Sequence, residues 1–144
     1  LRDVYKRQPS VDAQQHARAE QVLASAGRTV WIDSETLMDS VTAVSGSGPA
    51  YVFLLAEAME AAGIAQGLPA DAARALVVQT LLGASRMLDE AGESPAELRR
   101  RVTSPNGTTQ AAIESFQAGG FEALVDKALR AAQVRGQELS AAND

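Results

Sequence analysis

Two segments of this chain carry residue types whose spacing permits chemistry. The first is Val102-Thr103-Ser104-Pro105-Asn106-Gly107-Thr108-Thr109. Pro105-Asn106-Gly107 makes a turn, because proline presets one backbone angle while asparagine and glycine tolerate left-handed ones. A helix follows directly, and its first N–H groups have no intrahelical carbonyl to bond. They also carry the positive end of the helix dipole. With the hydroxyls of Ser104, Thr108 and Thr109 around them, such a nest suits a small anion, a carboxylate above all. An ordinary capped helix start uses the same residues, and this segment by itself leaves both readings open.

The second segment is Ser45-Gly46-Ser47-Gly48-Pro49. Its small side chains let a ligand or another backbone come close. As a phosphate loop it fails: Tyr51 stands where a Gly-x-Gly-x-x-Gly pattern needs its third glycine, and no lysine follows. Its spacing favours tight helix packing. Other polar residues offer less. His16 is the single histidine, set among charged and polar neighbours, and reads as a surface residue. One imidazole and no cysteine leave no thiolate nucleophile, no disulfide frame and no metal site to expect. Glu57 and Glu60 share a helix face, as do Glu90 and Glu93. Both pairs read as solvated or helix-end charges rather than paired catalytic acids.

The elements that must hold these segments are helices. The 144 residues suffice for one domain with its own core. Hydrophobic residues make up 46% but aromatics only 4%, and alanine, the strongest helix former, is the commonest residue. That balance favours packed helices over a β-sandwich. Residues 10–26 read as a helix stopped by Gly27. Residues 28–33 follow, and their Thr29-Val30-Trp31-Ile32 run reads as a strand. From residue 34 onward every element is helical. Ser34 is a candidate N-cap for a short piece over 34–40, and Pro49 suits the first turn of a helix over 51–62 that ends near Gly63. Leu68-Pro69-Ala70-Asp71 opens a helix to about residue 91, stopped by Gly92. Ser94-Pro95-Ala96-Glu97 starts the next with a capping-box pattern. Residues 108–118 and 121–140 make the last two, broken by Gly119-Gly120.

Residues 51–62 and 75–85 are apolar on nearly all sides, and no charge occurs between Arg74 and Arg86. A helix apolar all round is covered by protein. A second chain is therefore expected against it, most simply in a two-fold homodimer. The net charge of −5 and the single basic run, Arg99-Arg100-Arg101, give no basic face, so no nucleic-acid partner is expected. The uncharged stretch 40–56 contains Gly46, Gly48 and Pro49, whereas a membrane-spanning helix needs roughly 20 mostly apolar residues. No membrane partner is expected, and the cytoplasm is the simplest location. Residues 1–8 are basic, lack periodicity and open on Leu1 rather than Met. They are expected to be a foreign segment and are set aside. A lone strand has no partner later in the chain, so residues 9–33 are expected to be the remnant of a larger α/β domain. Residues 34–144 then form a helical domain.

Val41-Thr42-Ala43-Val44-Ser45-Gly46-Ser47-Gly48-Pro49-Ala50-Tyr51-Val52-Phe53 resembles the core signature of pyrroline-5-carboxylate reductases. So does Gln79-Thr80-Leu81-Leu82-Gly83-Ala84-Ser85-Arg86-Met87, and so does the segment from Val102 through Thr109. The three keep the family's order and spacing, and the likeness covers residues 27–139. The resemblance implies a mainly α fold, a helical dimerisation bundle preceded by the last helix and strand of a truncated Rossmann domain. It implies reduction of 1-pyrroline-5-carboxylate to L-proline with NADPH or NADH, the last step of proline biosynthesis. It implies a homodimer or a higher oligomer of dimers. Ser104, Gly107, Thr108 and Thr109 would hold the substrate carboxylate, and Val102 would pack beside the substrate ring. Thr42 would lie near the imine and nicotinamide, orienting the ring nitrogen or a proton-delivering water. The main cofactor-binding residues would belong to the Rossmann domain, so the chain by itself is expected to be inactive. The family's loop usually reads Pro-Gly-Gly-Thr-Thr, and Asn106 stands at the first glycine. Asparagine tolerates positive φ next best, so the turn is expected to survive with its side chain near the carboxylate position.

Two other readings are compatible with the helical pattern. One is a non-catalytic helical dimerisation module of another Rossmann-type dehydrogenase, in which the groups of the 104–109 turn are satisfied internally. The other is a hydroxy-acid dehydrogenase with a lysine at its reaction centre. Lys127, the only lysine outside the leading segment, has nothing around it that marks it as catalytic.

Overall fold

The computed structural model describes residues 11–25 and 27–142. The leading segment 1–8 and the expected helix bounds at Ser10 and Ala26 lie outside them. The described residues are mainly helical. They divide into two compact units, one made of the described residues up to Ala50 together with those from Val125 onward, the other of Tyr51–Leu124.

In the first unit, α1 spans Ala13–Ala24. Asp12 caps it: its carboxylate accepts from the N–H groups of Gln14 and Gln15 at 2.8 Å each, while Gln15 Oε1 accepts from Asp12 N at 3.0 Å. This reciprocal pair is a capping box. The strand expected over 28–33 is absent: no strand occurs among the described residues, and Ile32 alone makes an isolated bridge. A strand needs a neighbour to take its N–H and C=O groups. Here side chains do the holding instead. Thr29 Oγ1 and Trp31 Nε1 both donate to the Glu20 carboxylate. The Trp31 ring lies 3.8 Å, centroid to centroid, from the His16 ring at 31°. His16 is thus half-buried against an aromatic face rather than a plain surface residue.

A short 3₁₀ turn, Glu35–Leu37, leads into α2, Met38–Val41. Ser34 has the extended backbone of an N-cap but its hydroxyl meets Thr36 Oγ1 at 2.7 Å, so it does not cap the turn. The unit also contains the later part of α7, Phe121–Ala141.

α3, Gly48–Ala65, belongs to the second unit from Tyr51 onward and carries Pro49 in its first turn as expected. It runs past Gly63. Leu68 N donates to Gly63 O at 3.1 Å and Gly67 N to Ile64 O at 2.9 Å, with Gly67 at φ 99. Those paired bonds around a left-handed residue are a Schellman stop. Gly63 has a different job: a Cβ there would stand 3.3 Å from Leu68 Cδ1 and 3.6 Å from Ala73 Cβ. It admits the start of α4, Ala70–Glu90. Gly92 ends α4 as expected.

Ser94 caps α5, Pro95–Arg101, accepting from Glu97 N at 3.2 Å. The reciprocal arm of the expected box is missing, because the Glu97 carboxylate accepts from Arg100 Nε at 3.0 Å. Arg101 pairs with Glu93. α6, Thr108–Ala118, follows, and Phe116 packs edge-on against Phe121 at the head of α7, with ring centroids 5.5 Å apart.

Few residues are buried. Among the described residues the core consists of Ala43, Ala73, Val77 and Leu98. The helices expected to be covered are bare in this single chain: Phe53 is 70% exposed, Leu54 66%, Leu76 57% and Val78 57%. Among the described residues no helix is long and apolar enough to cross a membrane.

Candidate functional site

The turn at 104–107 forms as its residues dictate. Gly107 N donates to Ser104 O at 3.0 Å, closing a four-residue turn over Pro105 and Asn106. Asn106 has φ 59 and is the single non-glycine described residue with positive φ. A type II turn demands positive φ at that position, with proline before it. Gly107 is extended, at φ −86 and ψ 171, so its conformation does not require glycine. Space does: a Cβ there would lie 3.1 Å from the Ser104 carbonyl oxygen.

Gly107 is the N-cap of α6 and has no side chain to satisfy the helix start. The first intrahelical bond goes from Ala111 N to Gly107 O at 3.2 Å. Among the described residues no group bonds the N–H of Thr108, Thr109 or Gln110, nor the hydroxyls of Ser104, Thr108 and Thr109. Ser104, Thr108 and Thr109 are exposed, Gly107 half-buried. The internally satisfied turn of a purely structural module is therefore not what this segment makes. Three N–H groups at the positive end of a helix and three hydroxyls on exposed residues are thus left unbonded.

One donor of the turn is already engaged. Asn106 N donates to Gln110 Oε1 at 2.7 Å, and Gln110 Nε2 donates on to Glu114 Oε1 at 2.7 Å. The sequence reading missed Gln110. Its signal is the i, i+4 spacing from Asn106 on the first turn of the following helix. Val102, the C-cap of α5, is 57% exposed and lies next to the turn. Thr103 Oγ1 donates to Arg99 O at 2.7 Å and ties the turn back to α5. Arg100 in turn holds the Glu97 carboxyl below the ordinary glutamate range.

Thr42 lies in the other unit. It opens a five-residue π-helical segment, Thr42–Gly46, between α2 and α3. Ser47 N donates to Thr42 O at 2.8 Å, an i→i+5 bond. The cause is Pro49. It has no N–H to give the carbonyl of Ser45, and its ring would clash there, so an unbroken α-helix cannot pass. Ser45 Oγ instead donates to Val41 O at 2.8 Å, and the helix widens by one residue. Such widened turns are often found at functional sites. Thr42 is exposed. Its hydroxyl has no partner among the described residues. The turn packs on itself: a Cβ on Gly46 would touch Thr42 Cγ2 at 3.4 Å.

The structure thus brings together Val102, Ser104, Gly107, Thr108 and Thr109, and places Thr42 on a separate element. The acid pairs have ordinary roles. Glu57 and Glu60 line a groove of about 570 Å³ between α3 and α4, with Phe53, Ile64 and Arg74. Glu93 serves Arg101. Lys127 is exposed on α7. Among the described residues no cluster of histidine and carboxylate side chains could hold a metal ion.

The sequence profile of the pyrroline-5-carboxylate reductase dimerisation family matches residues 35–139. A pyrroline-5-carboxylate reductase of Pseudomonas aeruginosa is 57% identical over 130 residues, covering 90% of this chain and 48% of the relative. A pyrroline-5-carboxylate reductase structure from Coxiella burnetii superposes with TM-score 0.88 at 42% identity, covering 92% of this chain and 49% of that one. The Plasmodium falciparum pyrroline carboxylate reductase, solved with NADP bound, superposes with TM-score 0.80 at 30% identity, covering 92% and 50%. The chain spans about half the length of the relatives it matches.

Proposed function

The chain belongs to the pyrroline-5-carboxylate reductase family through its dimerisation region, and from that premise we propose that it is the substrate-holding and dimer-forming part of an enzyme reducing 1-pyrroline-5-carboxylate to L-proline. The carrying observation is the unbonded set of N–H groups and hydroxyls at the start of α6. In this reading residues 34–144 are the dimerisation and substrate domain, and residues 9–33 belong to a dinucleotide-binding domain. The enzyme works in the cytoplasm.

The reaction adds a hydride from NADPH or NADH to the C=N carbon and a proton to the nitrogen, leaving the oxidised dinucleotide and proline. The residues present do not fit a dinucleotide. The glycines of Ser45–Pro49 sit in a π-turn and a helix start, with no free loop of N–H groups for a pyrophosphate. What this chain supplies is placement. The N–H groups of Thr108 and Thr109 and the hydroxyls of Ser104, Thr108 and Thr109 hold the substrate carboxylate. Val102 covers one edge of the ring. The free Thr42 hydroxyl orients the imine nitrogen or the water that protonates it. A protonated imine is electrophilic without further activation, so fixing the ring is the larger part of the work.

A second copy of the chain covers the bare apolar residues of α3 and α4. Exposed apolar side chains in such number on one pair of helices mark an association surface, and the matched family is a dimerisation family.

The test completes the chain with the amino-terminal half of the Pseudomonas aeruginosa relative and follows NAD(P)H consumption with pyrroline-5-carboxylate. Turnover that falls sharply in Thr109→Ala is expected. A folded, dinucleotide-binding dimer without turnover would refute the assignment, and turnover untouched by Thr109→Ala would remove that hydroxyl from carboxylate binding.

A further inference from the structure

The later part of α7 meets α2 at two points on one face. Gln133 Nε2 donates to Ser40 Oγ at 2.7 Å, a half-buried bond spanning 93 positions of sequence. Three residues on, Gly136 comes so near that a Cβ would stand 2.7 Å from Asp39 Oδ1, 3.3 Å from its Cγ and 3.4 Å from its Cβ. Residues three apart share a helix face, so the two contacts act as one clamp. Glycine is the residue that helix interiors tolerate worst after proline. Its place inside α7, Phe121–Ala141, therefore needs a packing reason, and Asp39 provides one.

What the clamp grips is the lead-in to Thr42. Asp39 and Ser40 lie in α2, Met38–Val41, and the π-segment opens on the next residue. Each helical residue turns its side chain by about 100° from the last. A small rotation or slip of α2 would therefore re-aim the Thr42 hydroxyl. The far end of the π-segment is fixed locally by Pro49, and at the near end Ser45 Oγ and the Thr42 N–H tie it to α2, so its aim follows whatever holds α2.

We propose that Gln133 and Gly136 are positioning residues that fix the π-turn presenting Thr42. Their value to the reaction rests on the reading of Thr42 given above. They act through Asp39 and Ser40 and touch no substrate.

The test has two arms. In the 144-residue chain, amide hydrogen exchange at Ser47 reports the turn directly, because that N–H bonds the Thr42 carbonyl. Gln133→Ala and Gly136→Ala should each speed that exchange by about tenfold through local opening. Asp39→Ala should slow it again in the Gly136→Ala background, since it removes the carboxylate that the new methyl meets. Ser40→Ala should add nothing to Gln133→Ala, as members of one pair are not additive. In the completed enzyme, both α7 variants should lower kcat about fivefold or more with KM within about twofold. Asp39→Ala should restore kcat to Gly136→Ala.

Unchanged Ser47 exchange in both variants would overturn the proposal. So would unchanged kcat in both beside a Thr42→Val variant that is impaired. A fully active Thr42→Val would instead remove Thr42 from the reaction, while faster Ser47 exchange would still uphold the clamp.

Discussion

The α6 start and the Thr42 π-turn are both irregularities at helix ends, but they are made in opposite ways. At α6, residues 104–107 turn through their own chemistry and leave backbone donors free. Pro105 and Asn106 set the angles, Gly107 admits the Ser104 carbonyl, and no distant residue is needed to close the turn. At Thr42 the backbone is fully bonded, through an i→i+5 bond to Ser47, and what is left free is a side-chain hydroxyl. Its aim depends on α2, which is held by residues 93 and 97 positions away along the chain. One region offers backbone charge, suited to an anion. The other offers a single adjustable hydroxyl, suited to a proton. A locally closed turn survives changes elsewhere, whereas a turn held from a distance answers to them.

That contrast can be broken at its support. Leu98, only 6% exposed, anchors α5, the helix that delivers the 102–109 segment. Leu98→Ala should cost about 2–5 kcal/mol by thermal unfolding. Amide exchange in the 102–109 segment should rise while Ser47 keeps its protection; equal loss at both places would deny that the two regions are separately held. Thr109→Ala probes one of the donors, the side-chain hydroxyl. A hydrogen bond to a charged group contributes about 1.5–3 kcal/mol, so kcat/KM in the completed enzyme should fall roughly 10- to 150-fold. Stability should hardly move, since that hydroxyl has no partner among the described residues.

Smaller changes sharpen the comparison. Ser94→Ala removes the cap of α5 and should cost about 1 kcal/mol, again loosening 102–109 and not Ser47. Asn106→Gly should leave stability within about 1 kcal/mol, because asparagine already tolerates φ 59. If the Asn106 side chain crowds the carboxylate, KM should drop; an unchanged KM would show that it points away. The smallest effect is a control outside both regions. The Thr29 hydroxyl, and after it the Trp31 indole, hold the Glu20 carboxyl below the ordinary glutamate range. A depressed folded pKa means that the stabilisation is complete above the unfolded value and is lost as pH falls through the folded one. Emission from Trp31, the single tryptophan, should therefore change on acidification below the usual glutamate range. Glu20→Gln should remove that change without altering Ser47 exchange.

The legibility of the molecule follows the same division. The caps at Ser94, the stop at Gly92 and the turn at Pro105-Asn106-Gly107 were readable because each depends on residues within one turn of chain. The box at Ser94 was half right, since its sequence pattern cannot say that Arg100 takes Glu97 away. Gly63 and Gly67 illustrate the difference within five residues. Both are glycines near a helix end, but only contact with Leu68 and Ala73 shows that one is for packing and the other for stopping. The β-branched run at 29–32 has strand propensity, and the side chains of Thr29 and Trp31 were instead drawn onto α1 by Glu20 and His16.

By itself, the sequence determined the helical class, most helix boundaries, the left-handed turn at Asn106 and the free donors that begin α6. It also determined that α3 cannot join α2 as one regular helix, because Pro49 lacks an N–H. Tertiary structure decided where the widened turn points, what Gly136 packs against, what holds Trp31 and which apolar residues of α3 and α4 stay bare. The reason is range. Backbone angles and helix-end donors are fixed by neighbours a few bonds away, while packing and aim depend on atoms that only folding brings within reach.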